Sequence, residues 1–204
     1  MSEIYALSDD ALTPPQTIFS QIDEILRCGV KLVQYRSKLA AQDEALIRSL
    51  IGLCEDYGAK LIINDDATLA KKLGAHGVHI GKGDGETAQV RGFLGADKII
   101  GVSCYADLAR ARQAEAQGAS YVAFGSLRRG KTKPDAPLCP DALVQEARKF
   151  LNLPIAVIGG ISLENLNEIL ILKPDYIAMV EAIYKPASIT QNLANLKEKM
   201  DEYI

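Results

Sequence analysis

The chain has 204 residues, 48% of them apolar and 24% charged, with a formal net charge of −3. Such a length and balance suit one sizeable core and exclude both a disordered chain and two full domains. The slight acidity argues against nucleic acid as the main partner, since a phosphate backbone needs a basic surface.

Cys28, Cys54, Cys104 and Cys139 share no C-x-x-C spacing and there are two histidines, so a zinc cluster lacks its ligands and four reduced thiols are expected. The first residues, MSEIYALSDD, are acidic and carry no apolar run of signal-peptide length. No stretch reaches the ~18 apolar residues of a membrane span, and the expected location is the cytoplasm.

In chain order, "IYAL" opens as a short apolar strand. A phrase then recurs: "CGVKLVQYR" (28–36), "YGAKLIIND" (57–65), "LGAHGVHIG" (73–81), "LGADKIIGVS" (94–103) and "QGASYVAFG" (117–125). Each is a Gly, a small or β-branched residue, and a brief apolar run that ends in Gly or polar residues. That is a helix stop followed by a buried strand. Between the phrases lie amphipathic stretches, such as Leu46, Ile47, Leu50, Ile51 and Cys54, or Leu193, Leu196 and Met200. With "PIAVI" (154–158) and "DYIAMV" (175–180) the chain holds eight strands separated by helices and no linker. The pattern predicts one α/β domain over 1–204, a (β/α)8 TIM barrel. An open doubly wound sheet is the alternative, but G-x-G-x-x-G is missing after the first strand, and "GKGDG" (81–85) is too short to replace it.

In such a barrel the site lies at the C-terminal ends of the strands. Strand 2 ends in Gln34, Arg36 and Lys38, which alternate with Val33 and Tyr35. They are expected to point into the mouth, as two cations and an amide that seek an anion. Asp65 and Asp84 follow neighbouring strands, whose backbones lie about 5 Å apart, and together suit one Mg²⁺. Asp66 is expected to cap the helix that begins near Ala67. After strand 7, "IGGIS" offers backbone N–H groups at the start of a helix near Leu163, with Ser162 as its N-cap. Two phosphate sites half a barrel apart imply two phosphorylated substrates. The loop after strand 6, about 126–139, carries Arg128, Arg129, Lys131 and Lys133 and reads as a lid over them. His79 is expected to line the barrel and His76 to lie on the surface, while Tyr121 and Tyr176 begin strands and pack.

With Gln34, Arg36 and Lys38 followed by "INDD", "GVHIGKGD", "GVS", "YVAFG…TKPDAP" and "AVIGGI", the chain resembles the thiamine phosphate synthase family over nearly its whole length. The resemblance implies a transferase of thiamine biosynthesis that joins hydroxymethylpyrimidine pyrophosphate to thiazole phosphate with Mg²⁺ as cofactor. It implies a dissociative mechanism, in which pyrophosphate leaves before the thiazole nitrogen attacks. It implies that Gln34, Tyr35, Arg36, Ser37, Lys38 and Asn64 hold the pyrimidine pyrophosphate, joined by Ser103 and Lys133, with Arg36, Lys38, Ser103 and Lys133 catalytic. Asp65 and Asp84 are its metal ligands. Gly130, Lys131, Thr132, Gly159, Gly160 and the backbone of Val180 and Glu181 are its thiazole-phosphate residues. The partners it implies are small phosphorylated molecules, with no nucleic acid and no membrane, and it is compatible with a homo-oligomer.

Four positions depart from the family pattern: Gly130 for a common Thr, Lys82 for Gln, Tyr105 for His and Glu181 for a small residue. A related thiazole tautomerase and a non-catalytic precursor-binding protein are the competing readings. The first is expected to carry a His near Tyr105, and neither needs the Asp65–Asp84 pair.

Overall fold

The structure, a computed structural model, describes residues 2–130 and 137–203. Eight parallel strands pair in sequence order and close into a barrel. They are β1 (Glu3–Leu7), β2 (Leu32–Tyr35), β3 (Lys60–Asn64), β4 (Gly77–Ile80), β5 (Ile99–Tyr105), β6 (Tyr121–Phe124), β7 (Ile155–Ile158) and β8 (Tyr176–Met179). The seal is the pairing of β1 with β8, with Tyr5 opposite Ala178. Each strand falls where the recurring phrase and the other apolar runs put it.

Around the barrel lie α1 (Ile18–Arg27), α2 (Glu44–Asp56), α3 (Ala67–Leu73), α4 (Thr87–Leu94), α5 (Leu108–Ala116), α6 (Asp141–Ala147), α7 (Leu166–Leu170), α8 (Glu181–Tyr184) and α9 (Ile189–Asp201). The phrase glycines Gly29, Gly58, Gly74, Gly95 and Gly118 all have positive φ. Only a residue without Cβ takes that backbone freely, which is why the helices stop there. Asp66 caps α3 as expected, its carboxylate accepting from the Leu69 N–H, and Asp43, Asp107 and Ser188 cap α2, α5 and α9 in the same way.

The molecule has two apolar layers. Between strands and helices, Ile22, Ile25, Ile47, Leu50, Val33 and Tyr35 belong to one outer core. Inside the barrel, Tyr5, Leu7, Leu32, Ile62, Tyr121, Ala123, Ala156 and Ala178 form a second. Strand alternation separates them: Val33 and Tyr35 face the helices, whereas Gln34 between them faces the interior. Tyr5, Tyr121 and Tyr176 meet edge-on inside the barrel, with ring centroids 5.8–6.3 Å apart.

Two local expectations are corrected. His76 is not a surface residue: its Nδ1 accepts from the Leu61 N–H at 3.0 Å, so it stitches the turn before β4 to β3. The helix after β7 begins at Leu166 rather than near Leu163, and Ser162 does not cap it. Instead the Asn165 side chain spans the turn, accepting from the Ser162 N–H at 2.9 Å and donating to the Gly160 carbonyl at 2.8 Å. A side-chain bridge of this kind replaces the first turn of helix.

The cysteines are free, with Cys54, Cys104 and Cys139 buried. Burial pushes the Cys54 and Cys104 thiols up to about 12 and Cys139 to about 11, so they stay protonated and inert. Among the described residues no helix is long and apolar enough to cross a membrane.

Candidate active site

The segment after β2 is held by the residues that follow β1. Ser8 Oγ accepts from the Arg36 N–H at 2.7 Å and donates to the Arg36 carbonyl at 3.1 Å, and Asp10 Oδ2 accepts from the Lys38 N–H at 2.7 Å. The Arg36 guanidinium stands 4.0 Å from Asp9. Lys38 reaches the other way, its Nζ 2.5 Å from Asp65 Oδ2. The two cations therefore diverge, one toward the loop after β1 and one toward β3. Gln34 does not join them at the mouth. It is 3% exposed and its Nε2 donates to the Tyr5 hydroxyl at 2.8 Å inside the barrel, because strand alternation carries it below the rim. Tyr35 faces the helices, 7% exposed, and donates to Gln42 Oε1.

Asp65 and Asp84 are brought together. Asp65 has φ of +66°, a conformation that costs a residue with a Cβ on the order of 1 kcal/mol and recurs at functional sites. Asp84 Oδ2 accepts from the Gly81 N–H at 2.7 Å. Burial acts to raise the Asp65 carboxyl, but the hydrogen bond and charge of Lys38 outweigh it and hold the group below the usual carboxylate range. Asp84 is pushed up, first by burial and then by the charge of Asp65, against the lowering effect of the Gly81 N–H. The charge of Asp65 makes ionisation of Asp84 costlier, and a bound cation relieves that cost. Among the described residues no group of three or more His, Cys, Asp or Glu converges. A pair alone suits Mg²⁺, which keeps water and substrate oxygens in its shell, better than a metal that needs an all-protein cage. Asn64 lies beside the pair and donates to Asp65.

Ser103, on β5, is 2.8 Å from His79 Nε2, and its carbonyl accepts from Arg110 Nε at 2.7 Å. Arg110 also donates to the Gly81 carbonyl at 3.0 Å, tying the Ser103 backbone to the turn that carries Asp84. His79 lines the barrel as expected, stacked on Tyr121, and burial lowers it to about 4, so it is neutral near pH 7.

On the opposite side, the chain after β6 packs against the glycines after β7. A Cβ on Gly160 stands 2.7 Å from the Arg128 and Arg129 carbonyl oxygens, and one on Gly159 stands 2.0 Å from Ser126 Oγ. Gly130 lies against Gly160. The pair thus serves close backbone approach, whatever else it binds. Arg128 is not a lid cation: it makes a two-pronged pair with Asp141 at 2.7 and 2.8 Å and reaches Glu168 at 3.0 Å, clamping the loop to α6 and α7. Lys131, Thr132 and Lys133 lie outside the described residues. Val180 is the N-cap of α8 and Glu181 its first residue, at the end of β8.

Sequence reasoning missed Ser8, Asp9 and Asp10, visible only as "SDD" after β1, and Arg110, which had no motif at all. The order of strand ends around the mouth, with cations after β2 and a carboxylate pair after β3 and β4, can be compared with known proteins. The thiamine monophosphate synthase profile (TMP-TENI) matches residues 4–183. The chain belongs to the thiamine monophosphate synthase family. The thiamine-phosphate synthase of Nitrosococcus oceani is 44% identical over 190 residues, 91% of this chain and 87% of that one. That of Thioalkalivibrio sulfidiphilus is 40% identical over 183 residues, 89% and 87% respectively. The solved thiamine phosphate pyrophosphorylase of Pyrococcus furiosus superposes with a TM-score of 0.88 at 25% identity, covering 99% of this chain and 96% of that one. As a member of this family the protein is an enzyme, a transferase of thiamine biosynthesis.

Proposed function

We propose that the protein condenses hydroxymethylpyrimidine pyrophosphate with thiazole phosphate, giving thiamine phosphate and pyrophosphate, by a dissociative mechanism with Mg²⁺ and in the cytoplasm. The observation that carries this reading is the convergence of Lys38, Asp65 and Asp84 at one side of the mouth, with Arg36 on the same segment. In this reading the C–O bond to pyrophosphate breaks with its electron pair going to the leaving oxygen, and the thiazole nitrogen then captures the pyrimidine-methyl cation. Negative charge grows on the leaving group, so Arg36, Lys38 and Lys133 stabilise the transition state more than the ground state.

Asp65 and Asp84 hold the Mg²⁺, which when bound supplies positive charge to the pyrophosphate oxygens. Asn64 and Ser103 orient the same substrate, with the backbone of Tyr35 and Ser37. Gly130, Lys131, Thr132, Gly159, Gly160 and the Val180–Glu181 backbone receive the thiazole phosphate. No strong general base is required, because a ring nitrogen that captures a carbocation gives up no proton in doing so.

The test is a direct assay of the purified chain with both substrates, with and without Mg²⁺, following thiamine phosphate and pyrophosphate together. Mg²⁺-dependent formation of both in equal amount is expected. A folded, Mg²⁺-supplied protein that forms neither overturns the reading in favour of the tautomerase or binding protein.

A further inference from the structure

A chain of hydrogen bonds crosses the inside of the barrel. Gln34 Nε2 donates to Tyr5 OH, Tyr5 OH meets Tyr121 OH, Tyr121 OH meets His79 Nδ1, and His79 Nε2 meets Ser103 Oγ, each at 2.8 Å. The five residues come from β2, β1, β6, β4 and β5 in turn. Gln34, Tyr5, Tyr121 and His79 are buried, so no bulk water substitutes for a missing partner.

Donor arithmetic gives the chain a direction. An amide nitrogen only donates, and a phenol has one proton. Tyr5, having accepted from Gln34, passes its proton to Tyr121, and Tyr121 passes its own to Nδ1 of His79. A neutral imidazole has one N–H, which then sits on Nε2 and is given to Ser103 Oγ. Ser103 has accepted a hydrogen bond from behind and its own proton is left to be donated. The Gln34 amide sets that direction, since its nitrogen faces the Tyr5 hydroxyl and can only donate.

We infer that Gln34, Tyr5, Tyr121 and His79 are positioning residues that fix the Ser103 hydroxyl as a hydrogen-bond donor toward the mouth, the polarity that an anionic phosphate oxygen needs. The inference rests on the proposed contact between Ser103 and the pyrophosphate substrate. Its content is a two-state property of the whole chain. Only two arrangements satisfy every member, and turning the Gln34 amide over reverses all four bonds, so that Ser103 would donate inward to His79 and offer the substrate a lone pair instead.

The experiment uses the full chain labelled with ¹⁵N in its histidine rings. The chain has two histidines, and His76, whose Nδ1 accepts from the Leu61 N–H, is a built-in Nε2–H reference. Long-range ¹H–¹⁵N correlation is expected to show His79 as the neutral Nε2–H tautomer. In Gln34→Glu, above the pH at which the new carboxyl ionises, the end of the chain can only accept, and His79 is expected to switch to Nδ1–H while His76 stays. The same variant is expected to lose roughly tenfold to a hundredfold in kcat, the worth of one hydrogen bond to a charged group, and this loss is expected to vanish in a Ser103→Ala background.

An Nδ1–H tautomer for His79 in the unsubstituted protein overturns the inference whether or not the variant folds. So does a tautomer unmoved by an ionised carboxylate, or a Gln34→Glu loss undiminished by Ser103→Ala. Failure of the synthase reading shows separately, as absent turnover in a protein whose His79 tautomer is still read.

Discussion

The Lys38 ammonium sits 2.5 Å from Asp65 Oδ2, so a residue proposed to receive the leaving pyrophosphate is paired with one proposed to hold the metal. The pair is half exposed, at 58% and 35%, and an exposed ion pair is worth at most about 1 kcal/mol. In the proposed reaction Lys38 therefore competes only weakly with Mg²⁺ for Asp65 and is left to act on the leaving group. Lys38→Met is expected to bind Mg²⁺ up to about fivefold more tightly by calorimetry, while kcat falls by about a hundredfold or more. Weaker Mg²⁺ binding in the variant would show that Lys38 organises the carboxylates rather than competing for them.

Asp84 is raised by burial and by Asp65, and a carboxylate whose folded pKa lies above its unfolded value destabilises the fold once the pH exceeds both. Asp84→Asn keeps an acceptor for the Gly81 N–H and removes the charge. Without Mg²⁺ it is expected to melt slightly higher, by a few tenths of a kcal/mol after discounting for solvent screening, and to lose at least about a hundredfold in turnover. A variant that melts lower in the absence of metal contradicts the repulsion.

For His79 the sign runs the other way. Its folded pKa, about 4, lies below the unfolded 6.5, so the unfolded chain binds the extra proton first as pH falls. The stability contributed is fully present above about 6.5 and is lost progressively down to about 4. Between neutral pH and about pH 5 the loss from this one group is about 2 kcal/mol. His76 is lowered too, chiefly by burial, and adds in the same direction. Urea unfolding of the unsubstituted chain and of His79→Gln isolates the His79 share: the variant is expected to have the shallower acid slope, and equal slopes would refute the buried neutral imidazole.

Gly101 leaves room for the Tyr121 ring. A Cβ there stands 2.0 Å from the ring carbon that bears the hydroxyl, and Tyr121 is 2% exposed, with nowhere to retreat. Gly101→Ala is expected to destabilise by about 1–3 kcal/mol, as overpacked cores do. It is also expected to lower kcat by displacing the hydroxyl from His79. Urea unfolding with parallel kinetics checks both, and an unchanged midpoint would mean that the ring has space to yield.

The barrel was legible because its signal is local and repeated. A helix-ending Gly followed by a buried strand leaves a mark five times over, and Gly29, Gly58, Gly74, Gly95 and Gly118 take the positive φ that the phrase implies. Asp66 was legible as a cap for the same reason. What failed depended on a partner far along the chain. Arg128 looked like a free lid cation until Asp141 and Glu168 closed on it. His76 looked exposed because nothing nearby in sequence announces its bond to Leu61, 15 residues away. Gln34 was placed on the right face of β2 but at the wrong depth, since alternation tells which side a residue takes and not how far below the rim it ends.

The brace that Ser8 and Asp10 give to the Arg36–Lys38 segment has a bearing on how the protein is made. β1 lies between β2 and β8, and until β8 arrives it is an edge strand, paired on one side only. While the ribosome is still adding the residues of β7, the parts that grip the cations already exist, yet they hang from an open margin of the sheet. The last strand to emerge is thus the one that locks the first, and the earliest-translated end of the site waits on the late one for its rigidity.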